Sequence, residues 1–176
     1  MSPSWFKDIS TFSNVSDYLP IFNGVLFIET FNIYLALFEV FKSKNLEIWY
    51  TKYRLSAVMT DVLIVNIVII VTRFLYHYIF TTFSILTFCI LAIAVQMVHD
   101  VFFYLIISKI PKGKNGMIDT FKNYSSEVGA YAIIGDAVVV TSSCLTASYL
   151  ANYDLNYNLI TMLLTLYFIP YTLYTK

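Results

Sequence analysis

Long runs of apolar residues alternate with short polar connections along most of the chain. A helix needs about 20 mostly apolar residues to cross the hydrocarbon core of a bilayer. Runs of this kind predict five membrane spans, at residues 24–41, 55–76, 83–108, 128–150 and 159–174. The first is the least apolar, because it contains Glu29, Asn32 and Glu39. The pattern therefore predicts an all-α, polytopic transmembrane bundle over residues 21–176.

Two further segments have amphipathic spacing. In residues 1–20, Trp5, Ile9, Phe12 and Leu19 share one stripe of a helical projection, which predicts an interfacial helix lying on the bilayer surface. Residues 117–124 carry apolar side chains at similar intervals and follow a turn rich in Gly and Asn. This second pattern predicts a short amphipathic helix that leads into the fourth span.

The charged connections orient the predicted spans. Positively charged residues cluster between spans one and two and between spans three and four, whereas the other two short connections contain none. Cytoplasmic loops are enriched in Lys and Arg. Five spans then place the N-terminus outside and the C-terminus in the cytoplasm. The basic residues are Lys42, Lys44, Lys52, Arg54, Lys109, Lys112, Lys114 and Lys122, with Lys176 at the C-terminal end.

Composition agrees with a chain that resides in lipid. Hydrophobic residues make up 59% and charged residues 12%, about half the charged fraction of a soluble domain. The formal net charge is zero, which gives no reason to expect nucleic-acid binding. Cys89 and Cys144 lie in apolar runs and predict buried thiols. Phosphate-binding, haem-binding and zinc motifs are absent from the sequence, so no cofactor is predicted.

Three aspartates inside the predicted spans are the most specific feature of the sequence. Asp61, Asp100 and Asp136 each lie roughly 10–14 Å from the cytoplasmic end of their span, at 1.5 Å per residue. Gln96 and His99 share one helix face with Asp100. Ionisable groups within a span usually face the interior of the bundle. We therefore expect these five residues to be candidates for an ion or proton pathway.

Two interpretations of these residues remain open. The aspartates converge on a site for protons, a cation or a metal-bound substrate, or they form hydrogen bonds that only fix the register of the helices. On span two, Asn66, Arg73 and His77 form a second polar face. Glu29 is interpreted as solvated or reaching the interface, and Glu127 as a residue that caps the start of span four.

The segment from Gln96 to Ala137 contains a series of short motifs: Val98-His99-Asp100, Ile110-Pro111-Lys112-Gly113, Asp119 with Phe121-Lys122-Asn123-Tyr124, Glu127-Val128-Gly129 and Gly135-Asp136. With these motifs the chain resembles small multi-span membrane proteins of large DNA viruses that infect algae and protists. The resemblance extends through spans two to five and is weak in the first 50 residues. It implies a viral origin and a place in the membrane that such viruses enclose beneath the capsid, and it implies no chemistry.

Three functions are compatible with the sequence. The favoured one is a structural or assembly component of a viral membrane, with lipid, other copies of the chain or other viral membrane and capsid proteins as partners. The second is a proton or cation channel or transporter that uses the aspartates. The third is a small enzyme acting on lipid headgroups near the basic loop. No inverted repeat is evident, which disfavours a transporter built from such repeats.

Overall fold

The computed structural model describes residues 5–38, 40 and 43–175. Within these residues the chain forms seven α-helices, one turn of 3-10 helix at Val15–Asp17 and no strand. The predicted all-α class is therefore confirmed. Glu39, Lys42 and Lys176 lie outside the described residues. The helices are α1 (Tyr18–Leu37), α2 (Lys44–Tyr53), α3 (Leu55–Ile79), α4 (Ile85–Ser108), α5 (Gly116–Val128), α6 (Tyr131–Leu150) and α7 (Leu155–Leu173).

Four helical segments are long and apolar enough to cross a membrane. They are 15–37, which includes α1, and the helices α3, α4 and α6. The predicted fifth span, 159–174, falls in α7, which is not among the four because Asn and Tyr side chains make it less apolar. Large apolar side chains are exposed along the outward faces of α4, α6 and α7, as expected for helices in contact with lipid.

The N-terminal segment does not form the predicted interfacial helix. Residues 5–14 lack helical structure and α1 begins at Tyr18, four residues after this segment. Tertiary contacts outweigh the amphipathic pattern, because Ile9 is fully buried and the backbone of Lys7 exchanges hydrogen bonds with Ser148 of α6. The segment is therefore a strap across the end of the bundle where α1 begins.

Helices α1, α3, α4 and α6 form a closed ring, because α1 and α4 each contact both α3 and α6. The closest approach is between α1 and α6. A Cβ atom added to Gly24 would lie 2.6 Å from the backbone nitrogen of Ala147 and 2.9 Å from the carbonyl oxygen of Ser143. Helix α7 packs on the outside of α1 and runs parallel to it, since the starts of both helices meet at Asn23 and Asn158.

Contacts at both ends of α7 fix its position along the bundle. Near its start, Asn23 of α1 donates to the carbonyl oxygen and side-chain oxygen of Asn158, at 2.7 and 3.2 Å. At its other end, Arg54 donates to the carbonyl oxygen of Leu173 at 3.5 Å and its guanidinium lies 4.1 Å from the ring centroid of Tyr174. Helix α7 therefore extends over the same length as its neighbours.

Helices α2 and α5 pack against each other at the end of the bundle that carries the basic residues, here called the basic end. Each joins the following long helix through a residue with positive φ: Arg54 at 49° after α2 and Gly129 at 58° after α5. The side chains of Trp49 and Phe121 meet edge to face between them. These two short helices close the basic end of the ring.

The order of the helices contains a repeat that the sequence analysis overlooked. A long helix, a short helix and a second long helix follow one another in α1–α2–α3 and again in α4–α5–α6. Helices α1 and α4 run in the same direction, and the two short helices contact each other. This order and these contacts are those expected of two parallel repeats related by an approximate two-fold axis along the bundle, rather than of inverted repeats.

Gly24→Ala is expected to destabilise the protein, whereas Gly135→Ala is not. The methyl group at position 24 meets the backbone of α6, and overpacking of this kind costs about 1–3 kcal/mol. At position 135 an added Cβ meets nothing within 4 Å, so the higher helix propensity of Ala adds up to about 1 kcal/mol. Thermal unfolding of both variants in nanodiscs measures the difference; equal melting temperatures would contradict the close α1–α6 contact.

Candidate functional site

A cavity of about 620 Å³ lies inside the ring near the basic end. The long helices α1, α3, α4 and α6 form its walls, and the short helices α2 and α5 cover it. Toward the other end the cavity stops where small and branched side chains pack the core of the ring. These core residues, all at most 5% exposed, are Val68, Ile69, Cys89, Ala92, Val140 and Cys144.

All five predicted pathway residues line this cavity: Asp61 on α3, Gln96, His99 and Asp100 on α4, and Asp136 on α6. Glu29 on α1 joins them, so each of the four ring helices contributes one carboxyl group. The structure thus brings the predicted residues together, whereas their role in transport stays a prediction.

The repeat places the four carboxyl groups at equivalent positions. Asp61 lies seven residues after Arg54, and Asp136 lies seven residues after Gly129, the equivalent junction. Glu29 lies eight residues before the end of α1, and Asp100 lies eight residues before the end of α4. The common depth of the carboxyl groups therefore follows from the approximate two-fold symmetry.

Glu29 and Asp61 share one hydrogen-bond donor from α2, the hydroxyl of Tyr50, and Trp49 of the same helix donates to Asp61. The hydroxyl oxygen of Tyr50 lies 2.9 Å from Glu29 Oε1 and 3.2 Å from Asp61 Oδ2, and the indole nitrogen of Trp49 donates to Asp61 Oδ2 at 2.8 Å. Burial, reinforced by the two acidic neighbours, raises the pKa of Tyr50, so its hydroxyl keeps its proton and donates. A hydroxyl has one proton and serves one carboxyl at a time.

Asp100 is held by its own helix and keeps a free oxygen. Gln96 donates from Nε2 to Asp100 Oδ1 at 2.6 Å, and His99 Nδ1 lies 3.1 Å from the same oxygen. The ring of His99 stacks on Phe103. Within the described part of the chain, the buried atoms Asp100 Oδ2 and Gln96 Oε1 have no hydrogen-bond partner. Buried acceptors of this kind normally have donors, so this wall of the cavity lacks them.

Asp136 projects into the cavity from α6 without a hydrogen bond to any described residue. Its charge interacts with those of Asp100 and Asp61. On α5, burial raises the pKa of Tyr124 to about 12, with a further contribution from Asp136, so this phenol stays neutral beside the carboxyl groups. Asp136 is therefore the carboxyl group with the fewest internal partners.

The charges of the cavity are not balanced by basic side chains. Among the described residues that line it, four are Asp or Glu and none is Lys or Arg. The described residues also contain no group of three His, Cys, Asp or Glu side chains arranged to hold a metal ion. The cavity is therefore rich in acceptors and negative charge, but its geometry does not form a protein-only metal site.

Among the described residues, one side of the cavity is open laterally, between the end of α1 and the first half of α6. Lining residues in this region are exposed and mostly apolar, and no described atom lies within 4 Å of a Cβ added at Gly135. These residues, here called the mouth, are Val40, Tyr131, Ile134, Gly135 and Val138. They lie on the apolar outer surface of the bundle, so the mouth faces the region that lipid occupies if the helices span a membrane.

Asn66, Arg73 and His77 do not line this cavity. Arg73 is fully buried at the other end of the bundle, where it pairs with Asp17 at 3.3 Å and donates to backbone carbonyls of the N-terminal strap. His77 Nε2 lies 3.0 Å from the hydroxyl of Ser10, whereas Asn66 donates to the carbonyl oxygen of Val62 on its own helix. Arg73 and His77 therefore fasten the strap.

Sequence reasoning missed Glu29, Trp49 and Tyr50 as residues of the site. Glu29 was interpreted as solvated, but it is only 4% exposed because α2 folds over it. The two aromatic residues lie in the connection between the first two predicted spans, for which no helix was predicted. The signal for a helix was present, because Leu46, Trp49, Tyr50 and Tyr53 recur at helical spacing after the N-cap Ser43.

Glu127 joins the two short helices. It lies at the end of α5 and accepts four hydrogen bonds from the start of α2: from the hydroxyl of Ser43, the backbone of Lys44, and the backbone and side chain of Asn45. These bonds, the one from the Asn45 side chain foremost, lower the pKa of Glu127. The carboxylate also complements the dipole of α2, so it caps another helix rather than its own.

No known family matches this chain, and neither a similar curated protein nor a similar solved structure was found. The function is therefore argued from the geometry of the site.

Glu127→Gln is expected to loosen the start of α2. The variant loses the charge that accepts these bonds, so the backbone amides of residues 44–46 exchange with deuterium faster at neutral pH. In the wild type a lowered pKa means that the contact is complete above the ordinary pKa of glutamate and is lost as the pH falls through the lowered value. After correction for intrinsic exchange rates, the protection of residues 44–46 should therefore change with pH in the wild type and not in Glu127→Gln.

Asp119→Asn is the matched control, since Asp119 lies at the other end of α5 and accepts from Gly113. It should leave exchange in α2 unchanged. Equal protection of residues 44–46 in the wild type and in Glu127→Gln at neutral pH would contradict the contact.

Proposed function

We propose that this protein is a membrane transporter that binds a cation, including the proton, at the acidic cavity. The observation that carries the proposal is one cavity with a carboxyl group from each of four helices and no lining Lys or Arg among the described residues. Carboxyl groups at one depth repel each other unless a proton or a cation lies between them. Ionisable groups inside a membrane usually mark such a pathway.

The closed end of the cavity favours a carrier over an open pore. The packed core of the ring separates the cavity from the end where the strap lies. Passage therefore requires the halves of the bundle to move relative to each other. The approximate two-fold repeat supports such a mechanism by analogy, because parallel repeats occur in other transporters.

The other two functions receive less support from the geometry. A structural role in a viral membrane needs hydrogen bonds that fix the helices, but Asp136 and the free oxygen of Asp100 form none among the described residues. An enzyme that acts on lipid phosphates needs cations in its site, and the cavity has none in its described lining. The viral origin stays a prediction, on which the transport proposal does not depend.

A fifth membrane span is part of this proposal. Helix α7 contacts the start of α1 at one end and the start of α3 at the other, so it extends along the full length of two helices that are apolar enough to span. With five spans the basic end lies in the cytoplasm and the N-terminal strap lies outside. The cavity then lies in the cytoplasmic half of the bundle.

Cysteine labelling tests this topology. Thr82→Cys, Lys114→Cys and Thr175→Cys each place a thiol at an exposed position, and the native Cys89 and Cys144 are buried. In intact cells a membrane-impermeant maleimide should label position 82 and leave positions 114 and 175 unlabelled until the membrane is opened. Labelling of position 175 together with position 82 would show that α7 does not cross.

Proton flux into vesicles tests the transport function. Protein in liposomes that contain a pH-sensitive dye should move protons under an imposed cation gradient. Asp100→Asn and Asp136→Asn should each lower the rate by about tenfold or more, because each removes a charged acceptor worth about 1.5–3 kcal/mol. Asp119→Asn, whose carboxyl group lies outside the cavity, should retain the rate.

Flux equal to that of empty liposomes would contradict transport. Flux that persists in both cavity variants would show that the cations take another route.

A further inference from the structure

The cavity is much larger than the space that a proton or a single metal ion occupies. A water molecule occupies about 30 Å³ of liquid, whereas the cavity measures about 620 Å³. Pockets of roughly 300–1,000 Å³ typically bind small organic molecules. Because the described residues also form no metal cluster, the dimensions favour an organic cation.

The unpartnered acceptors specify the polar part of that cation. Gln96 is 5% exposed, and its amide nitrogen is committed to Asp100, so its oxygen can only accept. Asp100 Oδ2 on the same helix is also free, and Asp136 offers a carboxyl group from α6. A primary ammonium group carries three N–H donors and one positive charge. It matches three side chains, Gln96, Asp100 and Asp136, whose free acceptors have no donor among the described residues.

The remaining surface of the cavity specifies an apolar part. Aromatic side chains from several helices line the same cavity as the acidic groups, and aromatic faces attract ammonium groups as well as hydrocarbon. The mouth continues this surface to the outside of the bundle through Ile134, Gly135 and Val138, while α2 and α5 cover the basic end. The aromatic lining residues are Trp49, Tyr50, Phe103, Phe121, Tyr124 and Tyr131.

We infer that the ligand of this cavity is a lipophilic primary amine, which enters sideways from the bilayer through the mouth. Its ammonium group binds Gln96, Asp100 and Asp136, and its hydrocarbon chain lies along the aromatic wall toward Gly135. This inference rests on the proposed cation binding and names the class of cation.

The ligand lacks a phosphate group. An amine with a hydrocarbon chain is found both in single-chain amines and in aminophospholipids. A phosphate beside four carboxyl groups would be repelled, and the described lining supplies no Lys or Arg to neutralise it. The geometry therefore assigns the site to the phosphate-free amine.

Binding of radiolabelled octylamine to the protein in phosphatidylcholine nanodiscs tests the inference, with empty nanodiscs subtracted. Octylamine should bind saturably, and octanol should not displace it. Methylamine should displace it only at more than about 100-fold higher concentration, because each buried methylene contributes about 0.8 kcal/mol, or roughly fourfold in affinity. Nanodiscs that also contain phosphatidylethanolamine should give the same affinity.

Variants locate the binding site. Asp100→Asn should weaken octylamine binding about tenfold or more, since it removes a charged acceptor. Gly135→Leu should weaken it by a similar factor, because a leucine side chain occupies the mouth and its Cβ meets no described atom within 4 Å. Asp119→Asn, whose carboxyl group lies outside the cavity, should bind octylamine as the wild type does.

The binding measurements on the wild-type protein test the lipophilic amine even if a variant does not fold. Displacement by octanol, or methylamine that competes as well as octylamine, would overturn the lipophilic amine while leaving cation transport intact. Displacement by phosphatidylethanolamine would assign the site to a lipid headgroup and overturn the phosphate-free class. Absence of saturable octylamine binding overturns the inference, and absence of proton flux as well would remove the transport function with it.

Discussion

The contact between the backbones of α1 and α6 at Gly24 is the constraint on which the rest of the structure depends. Small residues let helices approach closely in lipid, where packing replaces the hydrophobic effect as the attractive force. At this level Gly24 leaves no room for a side chain. Toward the basic end, residues of both helices line the cavity and its mouth.

The cavity holds polar groups at a depth where they are costly. Carboxyl groups away from water require hydrogen bonds or counter-charges, and the protein supplies these unevenly. Tyr50 and Trp49 from α2 serve Glu29 and Asp61. On the opposite wall, Asp100 and Gln96 keep free acceptors. The proposed cationic ligand would supply the donors that these acceptors lack.

A departure from the approximate two-fold symmetry explains why hydrogen-bond donors are missing on one side of the cavity. Both halves place a carboxyl group seven residues after a junction of positive φ and another eight residues before the end of a long helix. In the first half, α2 supplies a hydrogen-bond donor, because the indole nitrogen of Trp49 donates to Asp61. In the second half, Tyr124 occupies the equivalent place on α5 and forms no hydrogen bond with Asp136. Equivalent positions in the two halves therefore have different hydrogen-bond partners, and the acceptors without donors lie on one side of the cavity.

The sequence by itself determined the helical class, four of the predicted spans and the depth of Asp61, Asp100 and Asp136, because apolar run length and helical rise are local properties. It also indicated the amphipathic helix α5. Only the tertiary structure decided what lies beside these residues. Glu29 becomes a cavity residue because α2 folds over it, and the predicted interfacial helix becomes a strap because Ile9 and Arg73 bury their side chains between distant segments. Such contacts join residues far apart in the chain, and no local pattern specifies them.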